Sequence, residues 1–304
     1  MMSGQIEVFG ISDQGRVRPV NDDQFMIADL CKSLRVHTTS VGLDQSTRVF
    51  GDTQGRLLLV ADGMGKRDAG ERASQIALDG IVEYVLNNLS WYLLNDDFDQ
   101  SDFEQQLKAG LRYCRDIIDN EAALLANREG MQSTLTLAYI VWPKMFVVHL
   151  GDSRCYLLRG GRIEQLTKDQ SVDRGAAIES SSIDEDQFRE EPSKVLWKII
   201  GAKNDPHPEA TSIELRIGDA IVLCTDGLTA HVGDKRINEE VTGDRPLSEA
   251  CETLIAEANE AGGEDNITLV ACRFRDKNSL ETQFRAEEVP REQNAVGPPK
   301  IAAS

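Results

Sequence analysis

The sequence predicts a layered protein of strands and helices in which the strands pair mainly antiparallel. Three observations carry this. Several apolar runs, such as Leu57–Val60, are short enough to be strands buried on both faces. Consecutive runs are separated by very short turns, as at Trp142-Pro143-Lys144 and Arg159-Gly160-Gly161-Arg162, which join antiparallel neighbours. Two long segments of helical periodicity lie between the strand runs, so helices cover a sheet. Neither Gly-x-Gly-x-x-Gly nor a P-loop is present, which agrees with a sheet that is not simply parallel.

Taken in order, residues 5–11 (QIEVFGI) alternate as a half-buried strand, and Ser12-Asp13-Gln14-Gly15 turns the chain. Arg16–Asp23 is polar and leads into a second strand, Gln24–Ala28. Residues 31–55 are polar and turn-rich and predict a long hairpin or loop insertion. Leu57–Val60 forms a strand that ends in Ala61-Asp62-Gly63-Met64-Gly65. Asp68–Leu89 repeats Ala73, Ile76, Ala77, Ile81, Tyr84 and Val85 at helical spacing. Asp102–Asn127 does the same with Phe103, Leu107, Leu111, Cys114, Ile118 and Leu125.

Met131–Ile140, Met145–Leu150 and Cys155–Leu158 are strands. Residues 168–210 are irregular and rich in acidic residues and serine over 179–191, with Val195–Ile200 as one short helix. A long irregular stretch inside a domain suits a lid or a plain surface insertion. Thr211–Leu215 and Ala220–Cys224 are strands, Leu247–Ala258 is a helix, and Ile267–Phe274 is the last strand. Residues 276–304 are polar, carry three prolines and read as a disordered tail. The domain is expected to span 1–275, with the tail at 276–304.

The 304 residues suffice for a substantial core. The net charge of −18 argues against nucleic-acid binding, because it repels phosphate, and it suits divalent cations. Six cysteines without a Cys-x-x-Cys pair read as reduced core residues and place the protein in the cytoplasm. No apolar run is long enough for a membrane span. The four histidines do not cluster and receive no catalytic role.

One device recurs along the chain. Asp62, Asp152, Asp226 and Asp265 each stand beside Gly or Asn at the end of an apolar run. A single Asp-Gly is a common turn dipeptide. Four of them on the ends of strands in one sandwich can gather on a common rim. Clustered carboxylates repel one another unless cations neutralise them, and oxygen donors without His or Cys fit Mg²⁺ or Mn²⁺. Asp22 and Asp23 add carboxylates, and Arg18 adds a fork-shaped donor for an anion.

These stretches bring a family into view. SDQGRVRPVNDDQF, VADGMG with GERAS, MQSTLT, HLGDSR, LCTDGL and GGEDNITLV occur in this order. The chain resembles the metal-dependent Ser/Thr protein phosphatases of type 2C, the PPM family, in its bacterial form, over roughly residues 5–275. The resemblance implies a four-layer α-β-β-α sandwich of two mainly antiparallel sheets flanked by helices. It implies two tightly bound Mn²⁺ or Mg²⁺ ions, with a third held more weakly. By motif position, Asp62 bridges both ions, the Gly63 carbonyl binds one, and Asp226 and Asp265 hold the other. Asp23 orients the attacking water beside Asp22, Arg18 binds phosphate, Asp152 serves the third ion, and Asn266 supports the site.

The implied reaction is hydrolysis of phosphoserine and phosphothreonine in proteins, the substrates of Ser/Thr kinases, by water and without a phosphoenzyme. The chain departs from the family at Lys66-Arg67 for Gly-His, Gln132 for Gly, Gln170 for His and Asp22 for Glu or Gln. The DGMGKR and MQST changes motivate an alternative, a phosphatase-like binding module of weak catalysis. A nuclease built on the same carboxylates is opposed by the charge.

Overall fold

The computed structural model describes residues 4–35, 48–65, 68–89, 99–124, 130–173, 194–196, 199–201 and 207–276. Lys66-Arg67, the acidic stretch 179–191 and the 277–304 tail lie outside these residues.

The first sheet has the strand order β1-β14-β13-β8-β9, from β1 (Gly4–Asp13), β8 (Arg154–Arg159), β9 (Arg162–Gln165), β13 (Ala220–Cys224) and β14 (Ile267–Asp276). The second has the order β12-β7-β6-β3-β2, from β2 (Gln24–Arg35), β3 (Arg48–Ala61), β6 (Leu135–Val141), β7 (Lys144–Leu150) and β12 (Glu209–Glu214). Every neighbouring pair in both sheets is antiparallel. Two small ribbons complete the strands. One pairs β4 (Gly63–Met64) with β5 (Gln132–Ser133), the other β10 (Ser171–Asp173) with β11 (Lys194–Leu196).

Three apolar layers hold the sandwich together. Leu58 and Val60 of β3 meet Cys155, Leu157, Ile221, Leu223 and Val270 between the sheets. Their neighbours Leu57, Leu59 and Ala61 point the other way, into the layer under α1 (Ala69–Asn88) and α2 (Gln100–Leu124). This explains the unbroken run in β3: successive side chains alternate between two interiors, so neither face needs a polar residue. The third layer lies between the first sheet and α3 (Asp226–Thr229), α4 (Asp234–Thr242) and α5 (Leu247–Glu260), with Leu228, Ile237, Val241, Cys251 and Leu254 in it. The expected four-layer α-β-β-α sandwich is therefore what forms.

Helices α1 and α2 approach closely where glycines face the partner. A Cβ on Gly110 would lie 2.6 Å from Ile81 Cδ1. The third layer is fastened by charge as well. Arg236 reaches Glu257 at 2.6 Å and also Glu240, and Arg245 reaches Glu240. Buried Arg273 donates to the carbonyls of Glu240 and Val241 in the last turn of α4, adding to the Gly243 amide already on Glu240.

The short helix expected at Val195–Ile200 is not found. Lys194–Leu196 is extended and pairs with Ser171–Asp173, and Ile200 bridges to Ser133. The β-branched Val195 suits an extended backbone once a neighbouring strand offers hydrogen bonds. The long hairpin expected at 31–55 is present in its flanks, with β2 and β3 paired out to Arg35 and Arg48. None of the six cysteines is in a disulfide; five are buried and Cys31 is exposed.

Candidate metal centre

Antiparallel pairing puts the ends that matter on one rim. Asp13 at the end of β1 is paired with Ile267 at the start of β14, and Cys224 at the end of β13 with Arg154 at the start of β8. In the other sheet Gln24 at the start of β2 is paired with Ala61 at the end of β3. Asp23, Asp62, Asp226 and Asp265 therefore leave the two sheets at the same end, and Asp152 stands in the turn between β7 and β8.

The Asp62 turn is held from both sides. Its amide donates to Thr134 Oγ1 at 2.9 Å, and its carbonyl accepts from the Thr134 amide at 2.9 Å and Ser133 Oγ at 3.1 Å. Thr134 Oγ1 also lies 2.9 Å from Ser153 Oγ, which ties the turn to the Asp152 loop. The Met-Gln-Ser-Thr stretch thus clamps the Asp-Gly turn, and Gln132 in place of glycine still pairs with Met64. A Cβ on Gly63 would lie 2.1 Å from the Gly70 carbonyl oxygen, and one on Gly70 would lie 2.8 Å from the Asp22 carboxyl. Two glycines let the start of α1 close onto both Asp22 and the Asp62 turn.

Asn266 organises the other side. Its Oδ1 accepts the Asp22 amide at 2.9 Å, and its Nδ2 donates to the carbonyls of Gln14 at 2.8 Å and Val20 at 2.9 Å. Asp23 is buried and accepts from Thr225 Oγ1 at 2.8 Å. Thr225 Oγ1 in turn accepts from the Thr268 amide at 3.0 Å. Asp265 accepts from the Asn266 amide on one oxygen and from Arg18 Nη2, at 2.7 Å, on the other.

The carboxylates act on one another. Loss of solvent, followed by the charges of Asp23, Asp226, Asp265 and Asp152, raises Asp62 well above the ordinary carboxylate range. Burial raises Asp23 to about 7 against the hydrogen bonds of Thr268 and Thr225, with the charges of Asp226 and Asp265 adding to it. Asp22 is raised by burial against a hydrogen bond from the Glu71 amide. Its Oδ1 is buried and without a hydrogen-bond partner. Arg18 is opposed by partial burial, but the hydrogen bond and charge of Asp265 with the charges of Asp62 and Asp22 raise its pKa.

This donor set of carboxylates, with an orphaned buried oxygen among them, fits hard divalent cations. Among the described residues, no three His, Cys, Asp or Glu side chains are drawn around a single point as a finished cage. Asp265 is turned to Arg18 instead.

His149 of the HLGDSR stretch is not on the rim. It is buried between Thr136 Oγ1, 2.9 Å from Nδ1, and the Lys168 carbonyl, 3.2 Å from Nε2, and burial lowers its pKa to about 4. Gln170 stands in place of the family's histidine and exchanges hydrogen bonds with Gly151: its side-chain Oε1 accepts the Gly151 amide at 3.0 Å, and its backbone N–H donates to the Gly151 carbonyl at 2.8 Å. Sequence reasoning missed the hydroxyl scaffold of Ser74, Ser133, Thr134, Ser153, Thr225 and Thr268. The one available signal was that all six stand within the motifs.

A two-sheet sandwich with helices on both outer faces and carboxylates at one end defines a four-layer fold with a candidate site for hard cations. Residues 40–268 match the family model of protein phosphatase 2C, and the chain belongs to that family. It is 32% identical over 228 residues to the serine/threonine protein phosphatase PstP of Mycobacterium tuberculosis, a match taking in 75% of this chain and 42% of PstP. The chain therefore spans less than half the length of that relative. It is 29% identical over 227 residues to protein phosphatase PhpP of Streptococcus pneumoniae, covering 73% of this chain and 87% of PhpP. The catalytic domain of PstP in complex with two manganese ions superposes with a TM-score of 0.64 at 28% identity, over 89% of this chain and 99% of that one. No helix among the described residues is long and apolar enough to cross a membrane.

Proposed function

We propose that this chain is a metal-dependent protein serine/threonine phosphatase. The observation that carries the reading is the gathering of Asp23, Asp62, Asp152, Asp226 and Asp265 within one another's field, beside Arg18. Mutual repulsion of this kind is costly unless cations offset it. Asp62, the Gly63 carbonyl, Asp226 and Asp265 would hold two Mn²⁺ or Mg²⁺ ions, and Asp152 a third. When bound, these ions supply the Lewis acidity that makes water a nucleophile near neutral pH.

The chain's own groups do the rest. Asp23, steadied by Thr225, orients the attacking water, with Asp22 beside it. Arg18 offers two parallel N–H groups to the phosphoryl oxygens and stabilises charge as it develops. The attack runs in line with the departing seryl or threonyl oxygen. Substrates are phosphoproteins made by Ser/Thr kinases, in keeping with relatives that are protein phosphatases, and cysteines outside any disulfide agree with work in the cytoplasm.

The test is hydrolysis of p-nitrophenyl phosphate and of a phosphothreonine peptide with and without Mn²⁺, beside Asp226→Asn. The expected result is Mn²⁺-dependent turnover that the variant loses. Folded protein without turnover would overturn the reading.

A further inference from the structure

Arg18 and Asp265 carry roles that conflict in the geometry. Arg18 Nη2 sits 2.7 Å from Asp265 Oδ2, while Asp265 Oδ1 accepts the Asn266 amide. Both carboxylate oxygens are in use, one by backbone and one by a guanidinium. A divalent cation taking Oδ2 competes with Nη2 for that oxygen, because two positive groups close together repel.

The two partners of Asp265 differ in mobility. Asn266 is buried and its side chain makes three hydrogen bonds, so its amide stays where it is. The Arg18 side chain is 51% exposed. Its backbone is nevertheless fixed: Gln14 Nε2 donates to the Arg18 carbonyl at 2.7 Å, the Arg16 amide to the Gly263 carbonyl at 2.7 Å, and Asn266 holds Val20. The guanidinium can therefore swing on a still loop. Half-exposed pairs stabilise weakly, so the contact holds the side chain and still yields to a cation.

We infer that Arg18 and a divalent cation are alternating partners of Asp265, so that seating the cation releases the arginine toward the phosphoryl group. This rests on the metal and phosphate roles proposed above. Linkage then requires reciprocity: cation binding raises phosphate affinity through Arg18, and phosphate, by engaging Arg18, raises cation affinity.

Calorimetric titration of Mn²⁺ into the wild-type protein, Arg18→Ala and Arg18→Lys tests this without turnover. Arg18→Ala should bind Mn²⁺ about two- to fivefold more tightly, the range expected from losing a weak competing pair. Arg18→Lys, with a shorter reach and no fork, should match Ala if contact with Asp265 matters. A lysine variant that matches wild type would reduce the effect to general charge repulsion and overturn the exchange. Unchanged or weaker Mn²⁺ binding in Arg18→Ala would also overturn it. Inorganic phosphate is the second probe: Mn²⁺ should raise its affinity in wild type more than in Arg18→Ala, and equal gains would refute the coupling. If no variant binds Mn²⁺ at all, the metal reading itself fails, which is a distinct result.

Discussion

Among the described residues two dense clusters of charge stand out, and they are built on opposite terms. Beneath α4 and α5 the carboxylates have cations at hand: Glu240 lies between Arg236 and Arg245, Glu257 takes Arg236, and Glu7 faces Arg273. At the rim Asp23 and Asp62 face other carboxylates, and their pKa values are raised, while neutral hydroxyls and amides hold the scaffold. The first cluster is complete within the chain and fastens helices to a sheet. The second has Arg18 against Asp265 and would be stabilised further by an added cation. Acid content alone does not separate the two; the ratio of carboxylates to cations within reach does.

The comparison breaks most visibly at Asp62. Asp62→Asn should cut Mn²⁺-dependent turnover by at least about a hundredfold, the scale of losing a central electrostatic group. The same substitution should raise the melting temperature in EDTA, since it removes a carboxylate from a repelling group. A lower melting temperature would mean that the rim is as well compensated as the helix cluster.

The pH dependence in EDTA comes next. Asp23 keeps its proton in the fold up to about pH 7, against an ordinary value of 3.8. Its contribution to stability is therefore full below about pH 4 and is lost as pH rises to about 7, a change on the order of a few kcal/mol. Thermal melts at pH 5 and 7.5 should show the loss, and saturating Mn²⁺ should flatten it. His149 works in the opposite sense: with its pKa lowered to about 4, its contribution is present above about 6.5 and is lost as pH falls.

Asn266→Asp should cost ~2–4 kcal/mol in chemical denaturation, because a carboxylate would face two carbonyls where an amide now donates. Smallest is Glu257→Gln, which breaks a part-exposed pair with Arg236 and is expected to lower stability by about 1 kcal/mol while leaving turnover intact. Its sign, opposite to that of Asp62→Asn in EDTA, sharpens the contrast between the clusters.

Much of this was legible before the structure. An Asp beside Gly after an unbroken apolar run marks a strand end, and repetition of that signature placed Asp62, Asp152, Asp226 and Asp265 on one edge. The helical stripes of α1 and α2 were equally clear, since their apolar residues recur every turn. The hydroxyl scaffold was not, because Ser and Thr serve turns, caps and strands alike and have no period. Helix α4 escaped notice because it is only nine residues long, with a narrow apolar face. The strand at Lys194–Leu196 depends on a partner far along the chain, which no local propensity records.

The double-sided burial of β3 has a consequence for how such chains can change in length. Alternation normally tells a strand which face is which, but Leu57–Val60 is apolar throughout and would accept either orientation. Deleting one residue there would leave both interiors filled with similar side chains, yet it would draw Asp62 back by about 3.3 Å and turn it to the opposite side. The packing would tolerate the lesion while the rim lost its centre. Insertions and deletions that preserve function are thus confined to connections such as the turn between β8 and β9, and the interior of β3 must keep its residue count even where its residue types are free to vary.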